Sequence, residues 1–209
     1  MGWTEKAVLI GVLVVAVMLH EVAHGLAALA CGDPTAKERG RLSLNPLRHI
    51  DPVGTLLLPG LLALAGSSVI FGWAKPVPVD LGRTRNPRQA LWLTAVAGPA
   101  TNLLLAALAA AALQALAAFG APAPWLAHLL VAAVLVNLVL LVFNLLPVPP
   151  LDGSRVVAAL LPRAWAARYL EVGRYGFLIL FLLLRSRAFD AVMTPLLRSL
   201  VRWLLPGLG

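Results

Sequence analysis

The sequence predicts an all-α polytopic membrane protein, with about 4–6 transmembrane helices, a re-entrant hairpin and a short extended or β segment near a polar centre. Three observations carry this. The 209 residues are 60% hydrophobic and only 12% charged, against roughly 25% charged in soluble domains. The mean hydropathy is +0.88, and several apolar runs reach the ~20 residues that cross a hydrocarbon core. No run alternates inward and outward residues as a barrel strand would, so the spanning elements are helices.

Charge and cysteine content narrow the partners. The net charge of +8 comes from Arg and Lys in short links between apolar runs, which suits topology signals and lipid headgroups and excludes a nucleic-acid face. The single Cys31 excludes an intrachain disulfide. The first apolar run is too long for a signal-peptide core, so it is expected to stay in the mature chain. Without an internal repeat or a low-complexity linker, residues 1–209 read as one membrane-embedded domain. Its core lies at about residues 5–160, followed by C-terminal helices at 166–206.

Taken in order, Ala7 to Ala30 forms the first helix, and the basic, breaker-rich stretch from Cys31 to Pro52 follows it. Residues 53–72 are apolar but interrupted by Pro59-Gly60. In "WAKPVPVD" prolines alternate with other residues, which suits an extended segment because proline lacks the donor a helix needs. Gln89 to Phe119 is a long helix loosened near its start by "AGPATN", and Trp125 to Leu146 is the next span. "PVPPLDGSR" is a loop stiffened by Pro147, Pro149 and Pro150. Arg163 and Arg168 among apolar residues mark an interfacial helix. Tyr169 to Leu184 reads as a further span, and Phe189 to Leu205 as a short span or a second interfacial helix.

Lys37, Arg39, Arg41 and Arg48 follow the first helix, Arg83, Arg85 and Arg88 precede the third run, and Arg155, Arg163 and Arg168 follow the fourth. The positive-inside rule puts all three links in the cytoplasm. Residues 53–72 must then enter and leave on one side, with Pro59-Gly60 at the tip of a hairpin buried in protein.

Within the first helix stands His20-Glu21-Val22-Ala23-His24. Residues four apart share a helix face, so both imidazoles can hold one metal ion while Glu21, one residue round, can act as a base beside it. Desolvating such groups in a membrane helix costs several kcal/mol, which argues against a chance occurrence. Catalytic zinc usually has three protein ligands. His49 and His128 read as interfacial, and Asp33, Asp51, Asp80, Glu171 and Asp190 sit at segment ends. Asp152 lies in the stiff loop after the fourth run, where capping the next helix is its other reading. Topology favours Asp152 as the ligand, because two crossings return the chain to the cytoplasmic end where His24 lies. Asn144 falls seven residues after Asn137, on the same helix face.

"HEVAH", "AGPATN" and "FNLLPVPPLDG" in this order and spacing resemble the site-2 protease family of intramembrane zinc metalloproteases, in its compact prokaryotic branch without PDZ or CBS domains. The resemblance implies one zinc ion per chain held by His20, His24 and Asp152, with Glu21 catalytic. It implies that Asn144 steadies the substrate backbone or the developing oxyanion, and that Asn102 is a second substrate-facing polar position. It also implies transmembrane protein substrates and a multi-pass protein of a prokaryotic inner membrane, with its active site toward the cytoplasm. The extended segment is expected to hold an unwound substrate by edge pairing. A metal-ion transporter and a proteolytically silent scaffold are the alternative readings; Glu21 argues against the scaffold, which needs no base.

Overall fold

The computed structural model describes residues 2–57, 61, 64, 74–120 and 122–206. Among them the regular structure is entirely helical: α1 (Trp3–Ala30), α2 (Thr35–Glu38), α3 (Pro87–Ala118), α4 (Pro124–Asn144), α5 (Asp152–Leu160), α6 (Arg163–Glu171), α7 (Gly176–Leu184) and α8 (Arg187–Leu204). Among the described residues three helices, α1, α3 and α4, are long and apolar enough to cross a membrane. Residues 74–80 carry neither helix nor strand. The expected hairpin tip at Pro59-Gly60 lies outside the described residues, as does most of 53–72.

Helix limits follow from local chemistry. α3 starts where the Asn86 side chain accepts the N–H of Gln89 and Pro87 occupies the first turn, a position where proline's missing donor costs nothing. Pro99 sits inside α3; it offers no N–H to the carbonyl four residues back, so the helix is loosened at that turn. α4 likewise opens with Pro124.

The span expected at Tyr169 to Leu184 is divided into the end of α6, a 3₁₀ turn at Val172–Tyr175 and the nine-residue α7. At 1.5 Å per residue α7 is only about 14 Å long, roughly half a hydrocarbon core. A Cβ at Gly176 would lie 2.5 Å from Pro150 Cδ and 2.7 Å from the Pro149 carbonyl, so glycine lets α7 start directly on the proline loop.

α8 runs alongside the α3–α4 pair. Phe189 meets Phe143 with ring centroids 6.4 Å apart, and at the other end Gln114 Nε2 donates to the Leu204 carbonyl at 2.6 Å. Leu197, Leu200, Val201, Leu204 and Leu205 pack on Ala106, Ala109, Ala110, Val134 and Leu138. Lipid is as apolar as these side chains, so the gain comes from close van der Waals packing, which the alanine face of α3 permits.

The polar links share one end of the bundle. Arg85 N–H donates to the Cys31 carbonyl at 3.1 Å, which joins the end of α1 to the approach to α3. Arg88 Nε and Nη2 donate to the carbonyls of Ala159 and Leu160, which joins the start of α3 to the end of α5. Lys75 N–H donates to the His49 carbonyl at 2.9 Å, so the chain leaves for 53–72 and returns at one place. Arg41 donates to the carbonyls of Arg48 and Lys75.

Asp33, fully buried, locks this face by accepting from Thr35 N–H, Thr35 Oγ1 and Asp80 N–H. Burial alone would raise its pKa; the bonds from Thr35 and Asp80, with the Arg83 charge, outweigh burial and hold the carboxyl below its ordinary range. The clamp fixes where residues 74–80 pass α1.

Candidate metal centre

α1 presents His20 and His24 one turn apart on its buried face, and the first residue of α5 brings Asp152 to them. His20 Nε2 lies 3.1 Å and His24 Nε2 3.2 Å from Asp152 Oδ2, and the two Nε2 atoms are 3.0 Å apart. All three residues are buried. The reach of Asp152 depends on Gly153, where any Cβ would collide with the Leu145 carbonyl. Ser154 Oγ returns to the Leu151 carbonyl at 2.6 Å and secures the same turn.

The far side of each imidazole fixes its tautomer. His24 Nδ1–H donates to the Thr94 carbonyl at 2.6 Å, one residue before the Ala95 carbonyl that Pro99 leaves without its helical N–H. His20 Nδ1–H donates to Asn102 Oδ1 at 2.6 Å. Asn102 Nδ2 donates to Asn137 Oδ1 at 2.9 Å, and Asn137 Nδ2 to the Ala133 carbonyl at 2.8 Å. Every donor in this chain has one acceptor, so the direction is set from α4 through α3 to α1. Both Nδ1 atoms carry the proton, and a neutral imidazole then turns a bare lone pair at Nε2 toward its neighbour. Two lone pairs and a carboxylate oxygen converging within about 3 Å repel one another until a cation or protons enter between them.

This donor set fits zinc by its chemistry, and the space fits too. A Cβ on Gly98 would lie 2.6 Å from Nε2 of both histidines and 2.5 Å from His20 Cε1, so glycine keeps the volume between the rings open. Gly98 reads as a helix-packing residue in the sequence; no local pattern exposes its place, because it depends on α3 crossing α1 at that residue. Gly98→Ala is expected to leave the helices intact and abolish zinc binding. The check is zinc content beside the thermal midpoint: the parent gains stability when zinc is added, and the variant does not.

Glu21 lies at the rim, half-buried, and its Oε2 accepts the N–H of Val77 at 2.8 Å. Residues 74–80 form a strap that passes close to α1, since a Cβ at Gly25 would meet Val77 Cγ1 at 3.0 Å. Beside the cluster opens a cavity of about 520 Å³ that includes His20, Glu21, His24, Asn144, Asp152 and Arg155 among its lining residues. Asn144 is half-buried there, with Nδ2 donating to the Leu140 carbonyl at 2.9 Å. Asn102, expected to face substrate, is instead 0% exposed behind His20. His49 is buried in the link, its Nε2 on the Ser43 carbonyl, and His128 is exposed on α4; neither approaches the cluster.

A membrane-length helix carrying two imidazoles, met at one point by the carboxylate at the start of the short α5, with a second carboxylate at a cavity beside it, defines the class of membrane-embedded metallohydrolases. Peptidase family M50 matches residues 116–184. YwhC of Bacillus subtilis (strain 168), by name a candidate zinc metalloprotease, is 38% identical over 90% of this chain and 84% of its own length. Rip2 of Mycolicibacterium smegmatis (strain ATCC 700084 / mc(2)155), named in the same way, is 32% identical over 82% of this chain and 64% of its own. No solved structure matches. The chain belongs to peptidase family M50, the site-2 protease family.

Proposed function

We infer that this chain is an intramembrane zinc metalloprotease, which hydrolyses peptide bonds within or near transmembrane helices of other membrane proteins. The observation that carries the reading is the convergence of His20 Nε2, His24 Nε2 and Asp152 on one point, with Glu21 on the adjoining cavity. The names of the relatives support it.

His20, His24 and Asp152 would hold the ion. When bound, zinc supplies Lewis-acid polarisation of the scissile carbonyl and acidifies water. Glu21 takes a proton from the attacking water and returns it to the leaving amine. The Val77 N–H occupies one oxygen of Glu21 and fixes its rotamer, which leaves the other oxygen for the water. Asn144 commits one Nδ2 hydrogen to its own helix, so its side-chain carbonyl and its second N–H are the groups that meet the substrate backbone. Asn102 orients His20 and does not touch substrate.

A helical substrate has its amides paired internally and must unwind to be cut. Residues 74–80 receive the unwound strand chiefly through their carbonyls, since the N–H groups of Lys75, Val77 and Asp80 are bonded within the chain and Pro76 and Pro78 have none. The finer architecture is one domain of four to six spans with residues 53–72 as a re-entrant hairpin; the meeting of Lys75 with His49 supports the hairpin. The basic links and the site share one end of the bundle, which supports a cytoplasm-facing site in a prokaryotic inner membrane. Chelation is expected to abolish cleavage of a model single-span substrate in detergent, and one equivalent of zinc to restore it. Cleavage that survives removal of all bound metal would overturn the reading.

A further inference from the structure

Some arginines of the links have an evident structural task. Arg41 and Arg88 hold backbone carbonyls, and Arg83 pairs with Glu38 at 2.7 Å. Arg155 differs. It lies three residues after Asp152 on α5, hence on the same helix face, is half-buried, and lines the cavity of the metal centre. Among the described residues, which include all nine Asp and Glu of the sequence, it has no ion-pair or hydrogen-bond partner.

The charges of the cavity make this significant. With zinc bound, the two positive charges of the ion balance Asp152 and Glu21, and both histidines are neutral. The guanidinium of Arg155 is then uncompensated in a cavity walled by Phe143, Phe177 and Leu180, where weak screening strengthens its attraction for an anion. Arg174, also on the cavity, already faces Glu171 at 3.6 Å. A planar guanidinium in such a place is suited to a carboxylate, which it can grip through two parallel bonds.

We propose that Arg155 receives an Asp or Glu side chain of the substrate, placed within about three residues of the scissile bond, on the side where α5 runs toward the basic links. The cavity thereby selects membrane segments that carry a carboxylate at that edge. The inference rests on the protease reading for the word scissile, and its test separates the two.

The probe is a set of single-span peptides in detergent, identical except for one Glu, Gln or Lys walked through the positions at one end of the span. Binding is measured to the zinc-loaded Glu21→Gln variant, and cleavage with the parent. At one or two positions Glu is expected to bind roughly tenfold more tightly than Gln, a difference of about 1.4 kcal/mol. In the background that also carries Arg155→Gln that difference disappears, and with Arg155→Glu the preference passes to Lys, while zinc content stays at one per chain. Equal binding of the Glu and Gln peptides at every position overturns the inference, and so does a Glu preference that survives Arg155→Gln. If the parent cuts none of the peptides but the Arg155-dependent preference is present, the protease reading falls and the carboxylate site stands.

Discussion

Glu21→Gln is expected to lower the rate of cleavage by roughly 10²–10⁴-fold, the usual worth of a positioned general base, while one zinc per chain remains. The substitution is chosen for what it preserves. Glutamine has the shape of glutamate, and its side-chain oxygen can still accept the Val77 N–H that Oε2 accepts at 2.8 Å, so the strap keeps its place beside α1. It removes the negative charge and with it the capacity to take up a proton. His20 and His24 are untouched, and their Nδ1 partners, Asn102 and Thr94, lie on another helix. Zinc by elemental analysis and turnover of a single-span substrate are measured on one preparation. Cleavage at the parental rate would remove the base from the mechanism and bring metal transport or client binding to the front.

The parts of this site that depend on local periodicity are legible in the sequence. His20, Glu21 and His24 follow from the 3.6-residue turn alone, and Asp152 stands out because three prolines stiffen its loop beside an apolar span. The common side of the basic links follows from counting arginines, and the hydrogen bonds joining Cys31 to Arg85 and Arg88 to Ala159 lie on that side. What depends on the crossing of distant helices is not legible. Asn102 and Asn137 are 35 residues apart, and nothing near either indicates that they form one chain of hydrogen bonds running from His20 to the Ala133 carbonyl. Gly98 is silent for the same reason. Tyr169 to Leu184 misleads because average hydropathy does not register the 3₁₀ turn at Val172–Tyr175, or the seating of Gly176 on the proline loop. α8 reads ambiguously because it is amphipathic: Leu197, Leu200, Val201 and Leu204 face α3 and α4, whereas Arg198 and Arg202 point away.

Asp152→Ala is expected to lose zinc altogether under conditions where the parent retains it, and to lose cleavage with it. The carboxylate supplies the one negative charge of the donor set and its third arm; without it two neutral imidazoles remain, a set that falls short of the three protein ligands of a catalytic zinc site. The fold should survive, because α5 is secured independently by Ser154 on the Leu151 carbonyl and by Arg88 on the carbonyls of Ala159 and Leu160. Asn137→Leu provides the contrast. It keeps all three ligands and removes the acceptor for Asn102 Nδ2 together with the bond from Asn137 Nδ2 to the Ala133 carbonyl of its own helix, so its loss of affinity belongs in the roughly 10–100-fold range of partners behind a ligand, well short of the loss in Asp152→Ala. Competition with a calibrated chelator ranks parent, Asn137→Leu and Asp152→Ala in that order. If Asp152→Ala binds zinc as tightly as Asn137→Leu, then Asp152 is no ligand; the short distances to His20 and His24 would describe a hydrogen-bonded aspartate at the start of α5, and the third arm must come from elsewhere.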